Sequence, residues 1–414
     1  MTSRRRLALV AGAIVLGSTL AVLFSANERS RAVRAVPLVG GSSEMTTSRA
    51  DLDRALRTAD ERLAANPADG RAAVTYAQAA LRRARIESNG GYTLAAERAL
   101  KGVLSRAPAD YDALKMLGAV YMSQHRFRQA IEAATRASQV HPNEAWNYGV
   151  IGDAHLELGE YDAAFNAFDT MMRLRPDAAA YARVAYAQEL QGRVGDAVRT
   201  MRMAAEATGA QDPESLAWHY SQIGNLLLQT GDVDGAAREF ARAEHAFPEH
   251  PFAMAGVARV AAARGQYDDA LTIYRALMTR APTSEIANAA GDILSERGRD
   301  EEAQAMYARA EAIEREAWLT EARLTTNVAR MLAERGVRTD EAVRLAEEAA
   351  RNRRDIFTMD ALAWSYFRAG RFEEAGEASR QARRTGSVDR RILAHAAAIE
   401  QAFGGGGDAV RASR

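Results

Sequence analysis

The chain has 414 residues, 48% of them hydrophobic, 26% charged and 7% aromatic, and its 54 basic residues balance 54 acidic ones. This excludes collagen-like and disordered classes, and with a net charge of zero there is no global field to hold a polyanion, so nucleic acid is not expected as a partner. The absence of cysteine excludes disulfides, thiolate metal sites and thiol nucleophiles together.

Residues 1–6 form a short basic tail that carries Arg4, Arg5 and Arg6. Leu7 to Phe24 follow as 18 uncharged, mainly apolar positions. As a helix they span about 27 Å, enough to cross the hydrocarbon of a bilayer. Two readings stand. One is an uncleaved transmembrane anchor, with the arginine tail left inside and the body exported, as the positive-inside tendency directs. The other is a signal segment removed after export, against which bulky Leu23 and Phe24 stand where a cleavage site needs small residues. Either way the body is expected outside the cytoplasm, tethered to the inner membrane by one pass or released to the periplasm or beyond. Residues 25–45, with Pro37, Gly40, Gly41, Ser42 and Ser43, read as a flexible tether.

Past the tether the sequence is periodic. Pro108, Pro142 and Pro176 are spaced by 34 residues, as are Pro248 and Pro282. In a separate series, Gly118, Gly152, Ala185, Gly224, Ala258, Gly291 and Ala363 are each followed twelve residues later by alanine. Apolar residues between these markers recur at three and four, the spacing of an amphipathic helix, and a glycine stands midway at Gly159, Gly192, Gly231, Gly265, Gly298 and Gly370. Each unit is therefore a pair of antiparallel helices, the first ended by glycine and the second closed by proline. The small marker is expected to lie beside the alanine twelve residues on, where two helices approach closely. Hairpins are predicted at 69–107, 110–142, 145–176, 178–208, 217–248, 251–282, 284–316, 320–352 and 356–386. A helix at 46–66 precedes them and a capping helix at 388–403 follows. Gly404 to Gly407 should end the fold and leave 404–414 as a disordered tail.

At Leu114, Leu117, Gly118, Tyr121, Ala130, Ala137 and Pro142 the chain resembles the tetratricopeptide-repeat family, and it does so again at Tyr220, Ile223, Gly224, Ala236, Phe240, Ala243 and Pro248. The family's tryptophan is replaced, five extra residues lie near Gln211 to Ser215, and the stretch Glu314 to Asp355 departs from the pattern. The resemblance implies an all-α, right-handed α-solenoid of about nine hairpins over residues 46–403. Stability in such arrays is a sum of nearest-neighbour interfaces.

Motifs for chemistry are missing. Neither lysine, Lys101 or Lys115, follows a glycine, which excludes a phosphate-cradling GxxxxGK[ST] loop, and GxSxG and HExxH are absent. The seven histidines never fall at i and i+3 or i+4, so no metal or cofactor site is expected. The resemblance implies that the first helix of each repeat lines a concave groove. Matching repeat offsets places Trp146, Trp218, Phe252 and Phe357 at position two, and Lys115, Ser221, Asn288 and Asp360 at position five. Asp153, Tyr186, Asn225, Arg259, Asp292 and Trp364 fall at position nine. Aromatic anchors beside polar groups suit a peptide, with area for affinity and hydrogen bonds for register. The bland alternative is that these aromatics pack against the neighbouring repeat. The leading expectation is a non-enzymatic scaffold holding a protein or peptide segment near the bacterial membrane. The alternative is an enzyme or receptor in which Asp153, Asp292 and Asp360 act on a glycan or small molecule.

Overall fold

A computed structural model describes residues 49–87, 91–321 and 326–412, and within them the chain is helical without strands. The apolar segment 7–24 and the tether 25–45 lie outside the described residues. Among the described residues no helix is long and apolar enough to cross a membrane.

Two compact units divide the chain, one running to Val184 and the other taking in Ala185–Glu316 and the chain from Leu324 on. The first holds α1 (Arg49–Ala65), α2 (Gly70–Glu87), α3 (Gly91–Leu104), α4 (Tyr111–Ser123), α5 (Phe127–Val140), α6 (Ala145–Leu158), α7 (Tyr161–Leu174) and the start of α8 (Ala178–Leu190). The second continues with α9 (Val194–Thr208), α10 (Pro213–Thr230), α11 (Val233–Ala246), α12 (Pro251–Ala263), α13 (Tyr267–Arg280), α14 (Ser284–Glu296) and, as far as Glu316, α15 (Asp300–Glu321). It closes with α16 (Thr326–Arg335), α17 (Thr339–Asn352), α18 (Ile356–Arg368), α19 (Phe372–Ala382) and α20 (Arg390–Ala412). Successive helices pack pairwise, as in α6 with α7 and α18 with α19. Both units are stacks of helical hairpins, the all-α solenoid architecture that the 34-residue period implies.

Local chemistry sets the boundaries. The side chains of Asp110, Asp232, Thr283 and Asp355 accept backbone N–H bonds at the starts of α4, α11, α14 and α18. Gly159 (φ 77°) and Gly231 (φ 88°) close α6 and α10 in the left-handed conformation.

Three stretches depart from expectation. Of the extra residues near Gln211 to Ser215, those from Pro213 on form helix: the Asp212 side chain caps Ser215 N, Pro213 takes the first position, and α10 reaches 18 residues. In the irregular stretch α15 runs for 22 residues to Glu321, past the predicted end of its hairpin at 316. At the other end, α20 continues through Gly404–Gly407 to Ala412 where a break was expected. Each glycine costs helix about 1 kcal/mol relative to alanine, a penalty that a helix already propagating from Arg390 can absorb.

The glycine marker also has a different partner from the expected alanine. A Cβ on Gly224 would come within 2.7 Å of the Phe240 ring and one on Gly291 within 2.6 Å of Tyr307, while one on Gly152 would collide with Phe168. The aromatic ring of the second helix, sixteen residues on, fills the space that glycine leaves. Gly118 has Ala134 at that place, and its nearest neighbour would stand at 3.7 Å.

Within the second unit one contact joins distant turns. Gly192 (φ 73°), between α8 and α9, lies against the backbone carbonyl of Gly386, between α19 and α20, with no room for a Cβ. Val388 packs on the same spot, and Arg390 reaches toward Gly231.

Candidate functional site

In the first unit, α4 and α6 bring Lys115 and Trp146 together. Lys115 Nζ lies 5.1 Å from the Trp146 ring centroid and 6.0 Å from that of Tyr111. Both residues are half-buried, and the Trp146 indole nitrogen has no acceptor. Tyr111 in turn stacks on His141 at 4.2 Å, and its hydroxyl, raised to about 12 by burial and the Glu144 carboxylate, donates to Asn147 Oδ1 at 3.4 Å. Asp153 is engaged otherwise. It lies buried on α6 and accepts from Arg183 of α8 through Nε at 2.9 Å and NH2 at 2.7 Å. Burial raises the Asp153 carboxyl against the pull of Arg183.

In the second unit several candidates are sealed. Tyr186 and Trp218 are buried, the Trp218 ring standing edge-on to His219 at 5.1 Å. Ser221 is fully buried and donates to its own helix at Ala217 O, 2.8 Å away. Asn225 on α10 and Arg259 on α12 meet, the Arg259 NH2 donating to Asn225 Oδ1 at 2.6 Å. Phe252 stays half-buried, 5.7 Å from the His250 ring, and Asn288 points its amide toward Met331 Sδ at 3.0 Å. Asp292 accepts from the Tyr307 hydroxyl at 2.8 Å, and burial pushes its carboxyl up to about 6.

Phe357 remains half-buried at the start of α18. Farther along this helix, Asp360 is buried against His395 Nδ1 at 3.0 Å and Arg391 Nε at 3.5 Å. Burial opposes ionisation there, but His395 and Arg391 hold the Asp360 carboxyl below its usual range. Trp364 lies between Phe367 and His395, with ring centroids 4.8 Å and 4.1 Å away. Asp360 and Trp364 are thus joined through a histidine of α20.

The candidates sort into two kinds. Asp153, Tyr186, Trp218, Ser221, Arg259 and Asp360 are buried, whereas Lys115, Trp146, Asn225, Phe252, Asn288, Asp292, Phe357 and Trp364 keep partial exposure. Of the three aspartates considered for chemistry, Asp153 is taken up by Arg183 and Asp360 by Arg391, with a hydrogen bond to His395. Sequence reasoning passed over Arg183, Arg391 and His395. Their signal is a basic side chain about one repeat away, 30 residues for Asp153 with Arg183 and 35 for Asp360 with His395. It also passed over His219 and His250, both buried and pushed down to about 4 by desolvation. Among the described residues no group of three or more His, Asp or Glu is placed to hold a metal ion.

Residues 150–213 and 222–285 match the family described as Tetratricopeptide repeat. No curated protein matches the chain. The human IFIT1 dimer with m7Gppp-AAAA is similar in fold, with a TM-score of 0.51 at 15% identity over 82% of this chain and 77% of that one. Yeast Tom70 aligns with a TM-score of 0.44 at 15% identity, over 85% of this chain and 86% of its own. A thermophilic TPR protein of Thermus thermophilus gives 0.35 at 18% identity, over 53% of this chain and 99% of its own. At such identities the likeness concerns fold alone.

Proposed function

The chain is a tetratricopeptide-repeat protein, and from that premise we propose a non-enzymatic scaffold that grips an extended segment of a protein partner on the inner faces of its first helices. The observation that carries this reading is the setting of Lys115. It is one of two lysines in the chain, sits half-buried over Trp146 and Tyr111, and has no carboxylate partner among the described residues. Lys101, the other, is tied to Glu97 at 2.6 Å. A cation on aromatic faces, with its remaining donors unspent, suits the carbonyl or carboxylate groups of a bound peptide. Half-buried Phe252, Phe357 and Trp364 offer the second unit comparable apolar anchors. The proposal extends to place: residues 7–24 hold the protein at the inner membrane with its body outside the cytoplasm, as 18 uncharged positions behind three arginines suggest.

The test is site-specific photo-crosslinking in cells. A crosslinker at Lys115 or Phe252 should give a discrete adduct that one at exposed Arg173 does not. Trp146→Ala combined with Trp364→Ala should cut adduct recovery about tenfold or more, each anchor contributing at the level of a hot spot. Equal adducts from both faces, or undiminished recovery, would sink the reading.

A further inference from the structure

Most half-buried arginines in the second unit find carboxylates, Arg335, whose Nε donates to Met331 O of its own helix, being an exception. Arg353 meets Asp355 at 2.5 Å, Arg330 meets Glu334 at 3.1 Å and Arg391 faces Asp360 at 3.5 Å. Arg259 is more deeply placed, at 7% exposure, and faces none among the described residues. Its NH2 donates to the neutral Asn225 oxygen, its Nε is buried without an acceptor, and the Phe240 ring lies 5.8 Å from its guanidinium carbon. The Tyr274 hydroxyl, which senses the Arg259 charge, is buried without a partner as well. Arg183 in the first unit is the control: equally buried at 7%, it is matched twice over by Asp153. A guanidinium taken out of water without a counter-charge is unfavourable, and burial holds Arg259 below its ordinary value.

We propose that Arg259 and Asn225 form a recognition site for an acidic side chain of the partner segment, the carboxylate of an Asp or Glu completing an ion pair that this chain leaves open. The inference rests on the reading that the inner face takes a peptide. Asn225 spends its oxygen on Arg259 and keeps its amide N–H groups for the same carboxylate. A side chain is the favoured source over a chain end because only a slender group reaches a guanidinium buried this far. Half-buried Phe252, two turns before Arg259 on α12, gives the flanking residues of the segment an apolar seat.

Thermal unfolding of the full chain in mild detergent, followed by tryptophan fluorescence, tests this with sodium acetate against sodium chloride at equal ionic strength. Acetate should raise Tm saturably by about 2 °C, the response of a site filled only in the folded state. The capped pentapeptide acetyl-Ala-Ala-Glu-Ala-Ala-amide should act at lower concentration. Its Gln counterpart and acetyl-pentaalanine with a free C-terminus should not. Arg259→Met should abolish the acetate response. Should that variant fail to fold, Arg259→Lys keeps the charge without the planar fork and should need about fivefold more acetate. No response in the wild type, or an undiminished one in either variant, overturns the site. A response to the free-acid peptide but not to the Glu peptide moves the source to a chain end and overturns the side-chain assignment. The acetate response reads Arg259 whether or not crosslinking captures a partner, so the two readings fail separately.

Discussion

The two units are built from one repeat yet differ in what they bury. In the first, a core cluster runs from Ala73 to Ala154 and draws in Leu100, Leu114, Met122 and Phe127. In the second, the apolar clusters are smaller and separate, one around Tyr274 and Ile293, another around Phe240. Both units bury charge, Arg83, Glu97, Asp153 and Arg183 in the first and Arg259, Asp355 and Asp360 in the second, and the second adds the neutral rings of His219 and His250. Glu189, His219, His250 and Asp292 are all pushed into the range from about 4 to about 8, and all lie in this unit. The lesson is that the repeat specifies helix spacing and leaves each interface free to be aliphatic or ionic. The aliphatic solution gives stability that ignores pH and salt, and the ionic one makes stability depend on them.

The sharpest way to break that contrast is at the buried ion pair of the first unit. Arg183→Met leaves Asp153 buried and alone, and should cost about 4 kcal/mol in urea unfolding. The double change with Asp153→Leu should recover most of it. If the single change costs nothing, burial without a counter-charge is cheap here, and the case made for Arg259 weakens with it.

Next in size is the response to acid. His219 and His250 have folded values near 4, below the ordinary 6.5, so the unfolded chain binds their protons first. Their contribution is full above about pH 6.5 and is lost as pH falls toward 4, on the order of 2 kcal/mol for each at pH 5. Glu189 runs the other way. Burial and the Asp389 carboxylate raise it to about 8, so stability declines as pH climbs from the ordinary 4.5 through 8. Urea titrations across pH 5 to 8 should show both slopes, His250→Phe flattening the acid side and Glu189→Gln the alkaline side.

The smallest effects should be indifferent to the unit. Gly152→Ala in the first and Gly224→Ala in the second push a methyl into Phe168 and Phe240, and each should cost about 2 kcal/mol at any pH. Gly118→Ala, with its nearest neighbour at 3.7 Å, should be neutral or stabilise by about 0.5 kcal/mol. Unequal costs for Gly152 and Gly224 would mean that the units differ in packing as well as in charge.

Prolines at a fixed period and glycines midway placed most hairpins to within a few residues, because capping and helix termination are local chemistry. The pattern did not carry the helical start at Pro213, where one aspartate and one proline turn an apparent insertion into an added turn. Nor did it carry the ring that occupies the space beside Gly152, Gly224 and Gly291, since that depends on how two helices cross. At the site, the residue types and their helices were legible, but not which were already spent. Asp153 reads as an available carboxylate until Arg183 is seen beside it, and nothing local marks that arginine among its neighbours. The interest of Arg259 was likewise hidden, since a missing counter-charge is a property of the packed chain.

The backbone contact of Gly192 with Gly386 has a consequence for folding. Hairpin arrays melt from their ends, since each module leans only on the next. A seam tying the opening turn of the second unit to its closing one makes early and late modules share one fate. Forming it demands closure of a very long loop, an entropic toll that grows only logarithmically with length but must be met before the seam repays it. The second unit should therefore fold late and all at once, and trimming its last helix should loosen its first.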